Sequence, residues 1–315
     1  MRAVVTPEAG AAPEVREVPE PAAAPGRALV RLRAAALNPV DLAIGSGRFY
    51  MPVPEPPRVA GAEAVGEVLS SAVHAPGTLV WSLEPTGRFG EVFSAADDAL
   101  VPLPEGLDPA LGAAIGIAGL AGWMPVRDRG GLTEGETVAV LGASGIVGQI
   151  AIQAAVLGGA GRVVALARSD EGLARARVLG AHAVVPLGAE DPGAALRAAA
   201  PDGVDLMVDT LWGAPLAACL SALRRGGRVV QVGSAAGQSS DIVAGPLRGG
   251  RIDIRGFSVF SEAPADLAAA YRALGTAVAQ GAVRMDVERV PLGDAPAAWA
   301  RQAAGTGGAK LVLVP

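Results

Sequence analysis

Cysteine, histidine, lysine and aromatic residues are all scarce in this chain. Its 315 residues include one Cys (Cys219), two His (His74 and His182) and one Lys (Lys310), and aromatic residues make up 3% of the sequence. A structural zinc centre needs about four ligands, mostly nitrogen and sulfur, and a catalytic one about three. The composition therefore argues against a Cys/His zinc centre, and a single cysteine excludes an intramolecular disulfide.

Charge is also sparse, whereas small and apolar residues are abundant. Charged residues make up 18% of the sequence and hydrophobic residues 51%, with 43 Gly and 25 Pro. A net charge of −5 offers no basic surface for nucleic acid. The length suggests two domains, at about 150 residues each.

One uncharged stretch, 137–161, is long enough to cross a bilayer, which takes about 20 residues. Its glycines at 142, 145 and 148 favour instead a buried strand, a tight turn and a helix. The N-terminus lacks the apolar run of a signal peptide. We therefore expect a soluble, cytoplasmic protein that binds no membrane.

Two patterns of apolar segments follow each other along the chain. Up to about residue 117, short apolar runs are separated by Pro- and Gly-rich turns, which is typical of a small β-barrel or sandwich. From residue 137 onward, five short apolar runs alternate with Ala- and Leu-rich segments, which predicts βαβ units and a parallel sheet. Residues 264–281 are then predicted to form a helix with one apolar side, and 310–315 a last strand.

The segment TVAVLGASGIVGQIAI (137–152) predicts a strand, a glycine-rich turn and a helix that begins near Ile146. A pyrophosphate can approach the N–H groups of a helix start only if no side chain blocks the turn. The third glycine of the turn would let the helix pack closely on the sheet. The alternative is a packing turn without a ligand. We expect dinucleotide contacts from Gly142, Ser144, Gly145, Ile146, Val147 and Gly148.

The end of the second strand bears on which dinucleotide is bound. An NAD site usually has Asp or Glu there, which accepts a hydrogen bond from the ribose 2′-hydroxyl. Arg168 and Ser169 stand at this point instead. The planar guanidinium of Arg168 suits the 2′-phosphate of NADPH, so the sequence favours NADPH. Ser169 is expected at the cofactor too, and it is also a good helix N-cap.

Several motifs resemble one superfamily of oxidoreductases. They are AAALNPVDLAIGSGRFY (34–50), PRVAGAEAVGEV (57–68), GRFGEV (87–92), GGRVVQVG (226–233), RGFSVF (255–260) and GGAKLVLVP (307–315). With the glycine loop, they resemble the medium-chain dehydrogenase/reductase superfamily, in its zinc-free branch of NADPH:quinone oxidoreductases and enoyl reductases.

The resemblance implies an α/β fold of two domains. A GroES-like β-barrel would consist of residues 1–117 and 261–315, and a Rossmann domain with a doubly wound parallel sheet of residues 118–260. The active site would lie in the cleft between them. Asn38 and Ala62 stand where zinc-dependent relatives carry metal ligands, so no metal is expected. The usual Lys after the second strand is Gly172, which leaves the 2′-phosphate to Arg168.

The resemblance also implies the chemistry. We expect hydride transfer from NADPH to a quinone or an α,β-unsaturated carbonyl, with the proton supplied by a side chain or by water. The alternatives are an enoyl-thioester reductase of polyketide or fatty-acid type and a non-catalytic NADPH-binding protein. The resemblance further suggests a homodimer.

Three residues are candidates for catalysis. Tyr50 is the first candidate to contact the substrate, with packing as its alternative. Asn38 either donates its amide N–H to the substrate oxygen or forms a turn, and Asp41 either caps a short helix or transfers a proton. Glu63 matches an acid of the family or pairs with an arginine. The remaining residues expected at the cofactor are Val232, Gly233, Ser234, Phe257 and Lys310.

Overall fold

The structure is a computed structural model that describes residues 1–305 and 309–315. The two glycines of the GGAKLVLVP motif therefore lie outside the described residues. The described strands are β1 (Arg2–Thr6), β2 (Glu14–Glu17), β3 (Arg27–Ala36), β4 (Arg58–Val59), β5 (Glu63–Ser70), β6 (Leu79–Leu83), β7 (Val92–Ala96), β8 (Val101–Pro102), β9 (Thr137–Leu141), β10 (Arg162–Ala167), β11 (Ala183–Pro186), β12 (Val204–Asp209), β13 (Leu223–Gln231), β14 (Asp253–Gly256), β15 (Val287–Pro291) and β16 (Lys310–Val314).

The α-helices are mostly short, and many of them connect neighbouring strands. They are α1 (Pro39–Gly45), α2 (Pro109–Ala114), α3 (Leu120–Arg127), α4 (Ile146–Leu157), α5 (Asp170–Val178), α6 (Pro192–Ala199), α7 (Gly213–Cys219), α8 (Ala244–Gly250), α9 (Pro264–Ala279) and α10 (Ala295–Ala304). A π-helical turn, Ile115–Gly119, joins α2 to α3.

The first compact unit consists of Met1–Ala118 and Pro264–Pro315. It holds a three-stranded sheet in the order β2-β1-β4, and a seven-stranded sheet in the order β15-β16-β3-β5-β6-β8 with β7 paired to β3. Because β16 pairs with β3, the C-terminal strand completes a sheet that the N-terminal segment begins. The predicted β-rich, GroES-like architecture is confirmed.

The second compact unit is Gly119–Ala263. Its six strands run in the order β11-β10-β9-β12-β13-β14, and every neighbouring pair is parallel. Numbered within the unit, this is the 3-2-1-4-5-6 order of a doubly wound dinucleotide-binding fold. The predicted Rossmann architecture is confirmed, and β9 and α4 form the βα unit expected from the uncharged stretch 137–161.

The apolar side predicted for the helix within residues 264–281 is also confirmed, and the single cysteine lies in the core. Leu267, Tyr271, Leu274 and Val278 are all buried on one side of α9. Cys219 is fully buried in α7, and burial raises the pKa of its thiol to about 12. The thiol is therefore a small apolar group of the core.

One helical stretch, Pro109–Arg127, is long and apolar enough to cross a membrane by length and composition. In the structure, 89% of its most apolar window is buried within the protein. Burial by the rest of the chain accounts for this apolar composition, as in the core helices of folded proteins.

Candidate functional site

The glycine-rich turn lies between the end of β9 and the start of α4, as predicted. Gly142 has a φ of +85°, and a Cβ there would lie 2.0 Å from Thr210 Oγ1. A Cβ on Gly148 would lie 2.4 Å from the carbonyl oxygen of Gly142. The turn therefore depends on glycine at both positions, because the helix starts against the backbone of the loop.

Gly145, in contrast, is exposed. A Cβ there would come no closer than 3.5 Å to the neighbouring atoms, the nearest being the carbonyl oxygen of Gly142. Gly145 is the N-cap of α4, and no side chain caps the helix there. This open helix start fits an anionic pyrophosphate, since its N–H groups carry partial positive charge.

Substitutions of Gly148 and Gly145 are expected to affect different properties, the first the stability of the fold and the second the binding of the cofactor. Gly148→Ala should lower the free energy of unfolding by about 1–3 kcal/mol, because the new methyl group meets backbone atoms. Gly145→Ala should leave stability unchanged but raise the Kd for NADPH by about tenfold, because its methyl group occupies the approach to the helix start. Urea unfolding and fluorescence titration with NADPH measure the two effects, and a stable Gly148→Ala variant would contradict the packing role.

The ends of β12 and β13 lie side by side at the carboxyl edge of the sheet. The N–H groups of Val232 and Gly233 both donate to the carbonyl oxygen of Asp209, at 2.8 and 3.3 Å. A Cβ on Gly233 would lie 2.8 Å from the carbonyl oxygen of Thr210. Ligands of open α/β sheets bind at this edge, so Val232, Gly233 and Ser234 remain proposed cofactor contacts.

Arg168 follows β10 directly and is exposed. Within the described part of the chain, no carboxylate lies at ion-pair distance from it. The Ser169 hydroxyl accepts a hydrogen bond from the Gly172 N–H at 3.1 Å, which confirms Ser169 as the N-cap of α5. Gly172 lies close to the glycine loop, because a Cβ there would be 2.5 Å from Ser144 Cβ.

Phe257 is buried and follows β14, with its N–H donating to the Gln231 carbonyl oxygen at 2.9 Å. It stays a proposed cofactor contact.

Tyr50, in the first unit, is 66% exposed. Its ring lies beside that of Phe49, with centroids 4.7 Å apart and planes tilted by 49°.

The first unit contains a buried polar cluster around Glu63, which is fully buried. The Asn38 Nδ2 group donates to Glu63 Oε1 at 2.7 Å. The Trp81 Nε1–H and the Ile117 backbone N–H donate to Oε2 at 3.1 and 2.7 Å. All three partners are donors, so the arrangement suits a carboxylate, and the alternative of an arginine partner for Glu63 is wrong.

Lys310 belongs to this cluster, and its expected contact with the cofactor stays a prediction. Its ammonium donates to the Leu37 carbonyl oxygen at 2.8 Å and to Asn38 Oδ1. Only 4% of the residue is exposed. With its ammonium bonded to these internal acceptors, Lys310 is not among the residues that we propose for the phosphates, a role that the sequence gives to Arg168.

Asn38 is also part of the cluster, and its contact with a substrate oxygen stays a prediction beside the alternative of a turn. Its Nδ2 hydrogens are used by Glu63 and by the Ala36 carbonyl oxygen, at 2.7 and 3.1 Å. Asp41 Oδ2 accepts the Asn38 N–H at 2.7 Å, and Oδ1 accepts the Ala62 N–H at 2.8 Å. Asp41 therefore secures the start of α1, the alternative to proton transfer.

Burial determines the electrostatics of the cluster. It raises the pKa of Asp41 to about 7, with the nearby Glu63 charge acting in the same direction. Burial also raises the pKa of Glu63, although Lys310 and the donated hydrogen bonds oppose this shift. It lowers the pKa of Lys310 to about 8. The two carboxyl groups and the ammonium thus compensate one another inside the unit.

Sequence reasoning missed two residues of this region. Trp81 holds Glu63 and stacks on Tyr271 with ring centroids 4.6 Å apart. Arg58 is buried and donates to the carbonyl oxygen of Pro54, in the segment that also carries Tyr50. Trp81 lies in none of the motifs named above. Arg58 is part of the motif PRVAGAEAVGEV (57–68), but the motif does not show that its side chain is buried.

A zinc ion does not fit the residues at the positions of the family's metal ligands. The Asn38 amide is hydrogen-bonded at both ends, and Ala62 has no ligating side chain. Among the described residues, no group of three His, Cys, Asp or Glu side chains is arranged to hold a metal ion. Protein zinc sites use three or four such ligands.

The chain matches two protein families. Residues 24–105 match the alcohol dehydrogenase GroES-like domain. Residues 147–276 match the family described as zinc-binding dehydrogenase. The words zinc-binding describe that family as a whole. In this chain, Asn38 and Ala62 stand at the ligand positions and do not suit zinc.

Individual proteins of two kinds, a prostaglandin reductase and a quinone oxidoreductase, are similar to this chain. Bovine prostaglandin reductase-3 is 30% identical over 242 residues, which cover 75% of this chain and 63% of that protein. The chain therefore matches less than two thirds of that relative's length. Pig quinone oxidoreductase is 34% identical over 233 residues, which cover 70% of each protein.

A solved structure agrees with the fold over the full length. The quinone oxidoreductase of Thermus thermophilus, reported alone and with NADPH, superposes with a TM-score of 0.85 at 28% identity and covers 100% of both chains. With the parallel sheet and the glycine loop, these matches identify an NAD(P)-type dinucleotide-binding domain. The chain belongs to the medium-chain dehydrogenase/reductase superfamily, in its zinc-independent quinone oxidoreductase branch.

Proposed function

We propose that the protein is an NADPH-dependent reductase that transfers hydride to a quinone or an α,β-unsaturated carbonyl without a metal ion. The observation that carries this proposal is the replacement of the metal-ligand positions by Asn38 and Ala62, with the Asn38 amide fully hydrogen-bonded inside the fold. Alcohol oxidation in zinc enzymes relies on the metal as a Lewis acid. Reduction of an activated double bond or quinone needs less polarisation.

The glycine loop and Arg168 are the proposed cofactor-binding residues. The open start of α4 would receive the pyrophosphate, and the exposed guanidinium of Arg168 would receive the 2′-phosphate. Gly142, Ser144, Ile146, Val147 and Gly148 would line the loop, and Val232, Gly233, Ser234 and Phe257 would follow the cofactor along the sheet edge. NADPH, when bound, supplies the hydride.

Tyr50 is the residue proposed to contact the acceptor. Its exposed phenol offers both an aromatic face and a hydroxyl donor. Asn38 and Asp41 are not assigned to the reacting atoms, because the groups that would reach a substrate are engaged in the buried cluster. The role of Tyr50 is to bind and orient the acceptor, and its hydroxyl can donate a hydrogen bond to the acceptor oxygen.

The acceptor class is tested by NADPH consumption with three substrates. A para-quinone, a small enone and a crotonyl-thioester are compared at equal concentration. The prostaglandin reductase and quinone oxidoreductase relatives support turnover of the enone and the quinone. A strong preference for the thioester would replace the proposal with an enoyl-thioester reductase. NADPH binding without turnover of any acceptor would identify a non-catalytic binding protein.

A further inference from the structure

The segment between α1 and β4, residues 46–57, forms a loop that carries the Phe49–Tyr50 pair. It contains neither helix nor strand and includes four prolines. Its tip is solvent-exposed, with Arg48 and Tyr50 both on the surface. Backbone hydrogen bonds near its start are local, such as that from the Arg48 N–H to the Ala43 carbonyl oxygen at 2.9 Å.

The side chain of Arg58 contacts the chain at both ends of this loop. Arg58 is only 9% exposed. One guanidinium nitrogen, Nη1, donates to the Pro54 carbonyl oxygen at 2.6 Å, and Nη2 donates to the Ile44 carbonyl oxygen at 2.7 Å. Ile44 lies in the last turn of α1 and Pro54 near the end of the loop. The two hydrogen bonds of Arg58 therefore join the two ends of the segment.

The backbone of Arg58 is itself held in a sheet. Arg58 is the first residue of β4 and pairs with Thr6 of β1. The side chain thus connects an anchored strand to a loop without regular structure. A planar guanidinium with two fixed nitrogens can reach two carbonyl groups at once, whereas a lysine ammonium is a compact charge on a flexible stem.

Nothing else in the surroundings accounts for a buried arginine at this position. Among the described residues, no carboxylate lies within ion-pair distance of Arg58, and its buried Nε has no hydrogen-bond partner. Burial of an unpaired cation is unfavourable unless its hydrogen bonds compensate. The hydrogen bonds that compensate here are those to the two ends of the loop.

We propose that Arg58 is a positioning residue that closes the base of the 46–57 loop and thereby holds the Phe49–Tyr50 pair for the acceptor. The inference rests on the proposed function, which assigns the acceptor contact to Tyr50. Arg58 itself touches neither the acceptor nor the cofactor.

The first test measures the order of the loop without any turnover. Trypsin cleavage at the exposed Arg48–Phe49 bond is followed by mass spectrometry in the wild type, Arg58→Met and Arg58→Lys. Cleavage should be about fivefold or more faster in Arg58→Met, because local opening governs proteolysis of folded proteins. Arg58→Lys should lie between the two. The control is Arg16→Met, which removes an exposed arginine paired with Glu14 on β2 and should cleave like the wild type.

The second test is a double-mutant cycle on the acceptor KM. Tyr50→Ala and Arg58→Met should each raise KM about tenfold with kcat changed less than about twofold, since both would remove acceptor binding rather than chemistry. The double variant should be no worse than Tyr50→Ala, because Arg58 acts through the loop. The Kd for NADPH should not change.

Each outcome decides the inference. Additive effects, or wild-type cleavage and KM in Arg58→Met, would overturn it. An unchanged KM in Tyr50→Ala would overturn it too, since the pair would then not serve the acceptor. Turnover of the quinone or enone by the wild type tests the proposed function separately. Circular dichroism of each variant shows that the fold is retained, and Arg58→Lys gives the same comparison if Arg58→Met does not fold.

Discussion

Arg168→Ala is expected to weaken NADPH binding by about 10- to 100-fold, the loss of one charge-assisted phosphate contact worth roughly 1.5–3 kcal/mol. NADH binding should change less than about twofold, because NADH lacks the 2′-phosphate. The residue is exposed at the end of β10, and in the described residues it has no ion pair to break first. Titration of both nucleotides by calorimetry measures the two affinities.

The matched control for this experiment is Arg177→Ala. Arg177 is also exposed and lies in the last turn of α5, so the variant loses the same charge from the same unit. It should bind NADPH almost as the wild type does. An equal loss of NADPH and NADH affinity in Arg168→Ala would refute the phosphate role and point instead to a contact with the shared adenosine.

Lys310→Met is expected to lower the free energy of unfolding by about 3–5 kcal/mol, the usual cost of removing one partner of a buried charge cluster. The variant leaves Glu63 and Asp41, both buried, without the ammonium that compensates them. It also leaves Asn38 Oδ1 and the Leu37 carbonyl oxygen without their donor. Urea unfolding followed by circular dichroism measures the change.

A double variant distinguishes charge compensation from simple packing. Glu63→Gln alone should destabilise the protein, because an amide nitrogen would face hydrogen-bond donors that now meet a carboxylate. Lys310→Met combined with Glu63→Gln should cost less than the sum of the two, because neither charge then remains without the other. Strict additivity would show that the two side chains do not interact.

Short-range patterns account for what could be predicted from the residues alone. The strand, glycine turn and helix of 137–152 depend on neighbours within a few positions, as does the Ser169 cap of α5. The alternation of apolar runs predicted the parallel sheet, since each βαβ unit is local in the chain. The scarcity of Cys and His argues against zinc, and the family resemblance, which puts Asn38 and Ala62 at the ligand positions, implies the zinc-independent branch.

Long-range packing decides the partners of the buried polar groups. Asn38 is hydrogen-bonded to Glu63, which is 25 residues away in the chain, and to Lys310, which is 272 residues away. The residues next to each of the three in the sequence do not indicate these partners. The residues alone thus place Lys310 at the cofactor and leave Asn38 between a substrate contact and a turn, whereas in the structure both are hydrogen-bonded inside the first unit. The role of Arg58 cannot be predicted from the sequence either, because it depends on carbonyl groups at the two ends of a loop.

One physical reason explains why some features could be predicted from the sequence and others could not. A helix cap or a glycine turn satisfies its hydrogen bonds with adjacent residues, so residue type and spacing are sufficient to predict it. A buried amide, carboxylate or ammonium must find its partner wherever the folded chain places one. Composition and spacing thus determine the fold and the cofactor loop of this protein, whereas the roles of Asn38, Lys310 and Arg58 arise from contacts that exist only after distant segments have packed together.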